Sequence, residues 1–373
     1  MLEASYRIGT VAGIRIGVHY SWFIVFLLLS GALAAYFREV HVEWSGSAVL
    51  LTALVTTLMY FVSIVLHELG HSLVAIARGV QVRAITLFIF GGIAQTEKDA
   101  DTAATEFYIA IAGPLVSFAL AALFYLFGQW SVHYSEIVAE SLVWLATINF
   151  ALAVFNLVPG FPLDGGRVFR AVVWHLTGDA VKGMQWAVMG GKVVAYGLML
   201  LGAIVGLQPG MLLNGIWLLA LGWFLFVAAE GSRRAFFSSR LAAHVLVGEV
   251  MQKEMPTVSA DMSLLYWIDE QILLTGQRSA LVTEGDKTVG LITLYDVMKC
   301  PRANWPNTTV RQFMTPLERF RFVNPANSMF EVLQIMREYN INQVPVMDNG
   351  EVVGWIDRER LLKILELHSA VGH

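Results

Sequence analysis

Six stretches of this chain are apolar enough, over about the length a bilayer requires, to cross a membrane. They constrain its fold more than any other feature. They run over about residues 17–37, 48–77, 105–127, 137–158, 185–206 and 211–229. A hydrocarbon core takes about 20 apolar residues of helix. Backbone there must satisfy its own hydrogen bonds, which leaves helices or closed barrels. The sequence predicts a polytopic α-helical membrane protein, and composition agrees: 56% of the 373 residues are hydrophobic and only 14% are charged. A net charge of −4 gives no electrostatic footprint for nucleic acid. The one cysteine, Cys300, excludes an internal disulfide framework and any cysteine-based zinc site. Residues 1–16 lack the basic start, apolar core and small-residue cleavage site of a signal peptide. Arg7, Gly9, Ile14, Arg15 and Ile16 read as short strand, with a pairing partner expected at the membrane surface.

The second apolar stretch contains His67-Glu68-Leu69-Gly70-His71. Positions four apart share a helix face, so His67 and His71 can offer two imidazoles to one metal ion. Glu68 stands one step round, where a carboxylate can take a proton from the attacking water. The preceding residues, LMYFVSIVL (58–66), present no polar face, so this is no surface helix. Ionisable groups inside a membrane are costly and default to function.

Charge orients the spans. Arg7, Arg15, Arg78, Arg83, Lys98, Arg167, Arg170, Lys182, Arg233 and Arg234 fall on one side, and only Arg38 on the other. The positive-inside rule then puts both termini in the cytosol. His67 precedes Arg78 by eleven residues and His71 precedes it by seven. At 1.5 Å per residue the motif lies roughly 10–16 Å from the cytosolic end of its span.

Residues 80–95 (VQVRAITLFIFGGIAQ) carry β-branched and aromatic residues and a Gly91-Gly92 turn, which predicts a hairpin associated with the membrane. Gly113-Pro114 is expected to open the third span, where proline is acceptable. The fourth span ends in Asn156-Leu157-Val158-Pro159-Gly160-Phe161-Pro162-Leu163-Asp164-Gly165-Gly166-Arg167. Two prolines break the helix, and Asp164 falls at the depth of the two histidines. A catalytic zinc takes three protein ligands and keeps one position open. Asp164 is the best-placed third ligand. His41 and His133 fall on the opposite side, His175 lies further along, and His19 remains an isolated competitor.

The motif H-E-L-G-H, the later F-G-G and the full pattern N-x-x-P-x-x-P-x-D-G over residues 156–165 resemble the site-2 protease family of intramembrane zinc metalloproteases. The resemblance covers residues 1 to about 230. It implies one Zn2+ held by His67, His71 and Asp164, with Glu68 as general base. It implies that Asn156 assists catalysis by binding the substrate backbone or the oxyanion. It further implies that the hairpin at Gly91 and Gly92 offers its edge to an unwound substrate.

Residues 231–246 read as a linker, after which the composition turns soluble. Two segments, 247–303 and 304–373, repeat at an offset of about 63–64: Met251 aligns with Met314 and Gly290 with Gly354. Each reads as strand, amphipathic helix, two strands and helix. This resembles a tandem pair of CBS modules, an α/β fold, and the resemblance implies an adenine nucleotide (ATP, ADP or AMP) bound between the repeats. Thr293 and Asp296 keep the family's hydroxyl and ribose-binding carboxylate. The second repeat has Asp357 and Arg360 at the equivalent places, which disfavours a second phosphate contact. The alternative is a CBS pair that only dimerises, as a homodimer contact, or docks.

The expected function is regulated intramembrane proteolysis of a membrane-spanning regulatory protein by a multi-pass cell-membrane enzyme with cytosolic CBS modules. Two alternatives stand beside it: a CBS-regulated transporter or channel, and a scaffold that binds membrane proteins without cutting. A transporter should repeat across its spans, and no such repeat is visible in the sequence.

Overall fold

The structure, a computed structural model, describes residues 6–88, 91–96, 100–276, 279–285, 287–339 and 341–371. Lys98, used above for orientation, lies outside them. The chain divides into two compact units, Met1–Arg233 and Arg234–His373.

The first unit begins with β1 (Tyr6–Val11) and β2 (Ile14–Val18), an antiparallel hairpin. The N-terminal partner expected from the sequence is β3 (Val82–Phe88), which runs parallel to β2, with Ile16 opposite Ile85. β4 (Gly91–Thr96) closes the sheet in the order β1-β2-β3-β4, so β4 is an edge strand. The predicted hairpin is therefore part of a larger sheet. Its turn, at residues 89–90, lies outside the described residues. Gly91 and Gly92, expected in the turn, instead open β4 opposite Phe88 and Leu87.

The helices are α1 (Ser21–Val40), α2 (Gly46–Ala77), α3 (Ala103–Ser131), α4 (Glu136–Asn156), α5 (Asp164–Thr177), α6 (Ala180–Gly206) and α7 (Leu212–His244). All but α5 are long and apolar enough to cross a membrane, so this is a multi-pass membrane protein. Four of them begin on a side chain that accepts a backbone N–H: Ser45, Thr102, Ser135 and Asp179. Such caps satisfy donors that a helix start leaves orphaned.

Two expectations need correction. Gly113-Pro114 does not open the third span but sits inside α3. Proline gives up one N–H bond to the carbonyl four residues earlier, and the helix carries on around it. The sequence reading also passed over α5, whose polar residues (Asp164, Arg167, Arg170, His175) fall below any hydropathy threshold. It is amphipathic, and Gly178, in the left-handed region at φ 69°, ends it.

The charged face of α5 is anchored. Arg167 Nε donates to Glu106 Oε1 at 3.1 Å, and Arg170 Nη1 lies 3.8 Å from the same oxygen. Glu106 and Arg170 are both buried. This ties the helix that begins at Asp164 to the first turn of α3.

α7 continues through residues 231–244 of the segment read as linker, and the division between the units falls within it. The first repeat has β5 (Thr257–Ser259), a helical stretch over 264–275, β6 (Ser279–Glu284), β7 (Lys287–Thr293) and the helix Leu294–Met298. β8 (Thr315–Pro316) adds to β7. The second repeat has the helix Met329–Glu338, β9 (Gln343–Asp348), β10 (Glu351–Asp357) and the helix Arg358–Val371. Its first strand is reduced to a parallel bridge between Val323 and Val346. The repeats interlock reciprocally. A Cβ on Gly290 would meet Met314 Sδ at 2.9 Å, and one on Gly354 would meet Met251 Sδ at 3.0 Å. Each methionine thus packs on the other repeat's glycine.

Glu106→Ala would remove the carboxylate that lies 3.8 Å from the buried Arg170 and the hydrogen-bond acceptor of Arg167. Removing one partner of such a pair costs about 3–5 kcal/mol. The thermal midpoint of the detergent-solubilised protein should fall clearly, whereas Lys182→Ala on the partly exposed start of α6 should leave it unchanged.

Candidate metal centre

Both histidines of the motif project from one face of α2 towards α3 and are buried. The two helices run antiparallel, and three α3 residues spaced by four meet the imidazoles in reverse order. His71 Nδ1 donates to the carbonyl of Ile109 at 2.7 Å. His67 Nδ1 lies 2.9 Å from Ser117 Oγ, a fully buried hydroxyl. Between them is Gly113, where a Cβ would collide with His71 Nε2 and stand 2.7 Å from His67 Nε2. Gly70, inside the motif, makes the reciprocal approach: a Cβ there would meet Val116 Cγ2 at 2.8 Å and the Ala112 carbonyl oxygen at 3.3 Å. Glycine at both places lets the two backbones close up, as small residues do between membrane helices.

A carbonyl oxygen can only accept, so His71 carries its proton on Nδ1 and turns the lone pair of Nε2 inward. Ser117 Oγ can either accept from or donate to His67 Nδ1; with Nδ1–H donating, the Nε2 lone pair of His67 also turns inward. The two Nε2 atoms are 3.2 Å apart, and Asp164 Oδ2 lies 3.1 Å from one and 3.2 Å from the other. Three electron-rich atoms thus form a nearly equilateral triangle. Donors on a tetrahedral zinc, each about 2.0–2.1 Å from the ion, stand about 3.3 Å apart. The donor set and its spacing fit zinc, with the outer nitrogens held as metal-bound histidines usually are.

Asp164 is the first residue of α5, placed by the loop that joins it to α4. Phe161 N donates to the Ala187 carbonyl of α6 at 3.1 Å. Gly190 and Gly191 of α6 are pressed against the carbonyls of Pro159 and Phe161, with no room for a Cβ at either. The loop is therefore docked on α6 at one end and fixed through α5 to Glu106 at the other.

Glu68 is half-buried on α2 and lies against β4: a Cβ on Gly92 would meet Glu68 Cγ at 2.5 Å and Oε1 at 3.3 Å. The motif's carboxylate and the sheet's open edge therefore meet. Gly91 precedes that contact in the same strand. Asn156 is the last residue of α4, half-buried at the entrance to the loop. His19 takes no part in the cluster; its Nδ1 is paired with Ser21 Oγ at 2.9 Å. Ser117, the Ile109 carbonyl and the Gly190-Gly191 pair were not expected at the site from the sequence, and Gly113 was read only as part of a span opening. The signal that could have flagged the three on α3 is a small-residue face at spacing four on the span after the motif.

Thr293 and Asp296, the expected nucleotide contacts, cap the helix Leu294–Met298. Asp296 Oδ2 accepts from Thr293 N at 3.2 Å and from its Oγ1 at 2.7 Å, and Oδ1 pairs with Lys299 Nζ at 2.9 Å. In the second repeat, Asp357 accepts from Arg360 N at 2.7 Å and from Gln252 Nε2 at 3.0 Å.

Residues 55–139 and 131–200 match peptidase family M50, and residues 247–302 and 310–367 match the CBS domain. A protein of Synechocystis named as a zinc metalloprotease is 32% identical over 372 residues, spanning 98% of this chain and 96% of that protein. A zinc metalloprotease of Methanocaldococcus jannaschii is 30% identical over 367 residues, spanning 98% and 97%. The solved site-2 protease from Methanocaldococcus jannaschii is 30% identical, aligning 61% of this chain with 94% of that one at a TM-score of 0.41.

Two substitutions probe the cluster. Gly113→Ala should abolish metal retention, because its methyl group occupies the space of the imidazoles. Ser117→Ala leaves the helix pair intact and removes only the outer hydrogen bond of His67. Its metal affinity should fall about 10–100-fold, as read by competition with a chromophoric chelator.

Proposed function

Because this chain belongs to peptidase family M50, the site-2 protease family of zinc metalloproteases, we propose that it cuts membrane-spanning segments of regulatory proteins within the bilayer. The observation that carries this reading is the buried triangle of His67, His71 and Asp164 with Glu68 beside the free edge of β4.

In this reading His67, His71 and Asp164 would hold the zinc. Zinc bound there supplies Lewis acidity, polarising the scissile carbonyl and making water nucleophilic near neutral pH. Glu68 removes the proton of the attacking water and then passes it to the leaving amine. Asn156 donates its amide to the substrate backbone or to the oxygen on which charge develops. A helical substrate hides its peptide carbonyls in its own hydrogen bonds. Unwound, it can add as a strand to the edge of β4, and the missing side chain at Gly92 lets its backbone come close to Glu68. The loops richest in arginine and lysine lie in the cytosol by the positive-inside rule, which puts both termini and the CBS pair there. Reporter fusions at the two ends check that topology.

The decisive experiment compares wild type with Glu68→Gln on a reporter whose membrane-spanning segment is cleaved. Glutamine is nearly isosteric but accepts no proton, so zinc content should be retained while cleavage falls at least about 100-fold. Residual activity within a few-fold of wild type would remove Glu68 from the role of base. A transporter or a non-cleaving scaffold predicts no cleavage by either protein.

The CBS pair is proposed to bind one adenine nucleotide at the first repeat. Asp296 would meet the ribose hydroxyls and Thr293 a phosphate, with both released from their mutual cap. Nucleotide can alter proteolysis only by favouring one arrangement of the protein over another. Titration calorimetry of the full-length protein should give one site per chain, weakened by Asp296→Ala. No heat with millimolar ATP, ADP or AMP would rule this sensing role out.

A further inference from the structure

A second histidine is built into a carboxylate cluster at the other end of α4. His41 ends α1, its N–H donating to the Phe37 carbonyl at 2.9 Å. Its ring is 7% exposed and stacks flat on Trp44, with centroids 4.1 Å apart and an interplanar angle of 9°. Nδ1 stands 3.5 Å from Glu43 Oε1 and 3.4 Å from Glu136 Oε1, and Nε2 stands 3.9 Å from Glu140 Oε2. Charge-assisted N–H···O⁻ bonds are about 2.7–2.9 Å long, so these contacts are too long to be hydrogen bonds. Nε2 is buried and has no hydrogen-bond partner among the described residues. None of the three glutamates pairs with a lysine or arginine among the described residues. A buried imidazole left unbonded, with three carboxylates gathered round it, is unfavourable unless a cation completes it.

The spacing indicates which cation. The ligand atoms of His41, Glu43 and Glu136 all lie within 4.8 Å of one another. The nitrogen-to-oxygen distances of 3.4 and 3.5 Å approach the about 3.3 Å between donors on tetrahedral zinc. Calcium and magnesium ask for six or more oxygens, whereas a set with imidazole suits zinc. A zinc-bound histidine usually gives its other N–H to a carboxylate; the carboxylate nearest Nε2 is Glu140, at 3.9 Å and beyond hydrogen-bond distance.

We propose that His41, Glu43 and Glu136 form a second zinc site, independent of the His67 cluster. It joins the connection between α1 and α2 to the first turn of α4. That helix is 21 residues long, about 30 Å, and its far end leads into the loop that places Asp164. The ion clamps the start of the helix whose other end positions the loop.

Zinc stoichiometry of the purified full-length protein, measured by mass spectrometry after equilibration with micromolar free zinc, tests this. Wild type should hold two zinc ions per chain. His41→Ala should hold one, and so should the pair Glu43→Gln with Glu136→Gln. The two glutamates are exposed, so the pair keeps the test valid if the buried His41 variant fails to fold. His67→Ala removes the other ion, so failure of the catalytic assignment shows up separately. In His67→Ala, X-ray absorption of the remaining zinc should report one imidazole with oxygen ligands. One zinc per saturated wild-type chain, or a second zinc that survives both the His41 and the glutamate substitutions, overturns the proposal.

Discussion

Two hydrogen bonds on the outer nitrogens of two imidazoles set the conditions for everything else in the first unit. Nε2 of His67 and of His71 can face one point only if each Nδ1 is held from behind. The Ile109 carbonyl and the Ser117 hydroxyl do this from a single face of α3. That in turn requires α2 and α3 to approach until backbone meets backbone, which the glycines at 70 and 113 permit. Pro114 beside Gly113 then looks less anomalous inside a membrane helix. The close contact with α2 surrounds that turn with protein, where a missing N–H bond is tolerated.

Asp164 completes the triangle from a different part of the chain, and its position is over-determined. The loop before it is pressed onto two glycines of α6, and the helix after it is held by the Glu106 pairing with Arg167 and Arg170. A carboxylate placed beside two inward-facing lone pairs is electrostatically uncomfortable. The scaffold has to hold it there against repulsion until a cation arrives. Anchors on both sides of one ligand answer that requirement.

The spans and the cluster were legible in the sequence because each rests on a local rule. A membrane helix is a run of apolar residues, and two histidines four apart share a face whatever surrounds them. The repeat of the second unit was legible as an offset, and the Met251–Gly354 and Met314–Gly290 contacts give that offset a physical meaning. What stayed hidden depends on register between segments far apart. Nothing local tells Ser117 that it will meet His67, or Gly190 that it will receive Pro159. α5 was missed for another reason: hydropathy finds helices that face lipid, and this one turns a charged face to a buried glutamate. The two glycines read as a turn are strand residues, because a turn signal and an edge where another backbone must approach use the same amino acid.

The order of the ligands along the chain has a consequence for biogenesis. His67 and Asp164 are 97 residues apart, and the α6 glycines on which the loop docks come later still. At roughly 5–20 residues per second, those 97 residues take the ribosome about 5–20 s. Throughout that interval the two imidazoles of α2 have no Asp164 beside them. The triangle of donors is complete only when the fifth apolar helix has been laid beside the others.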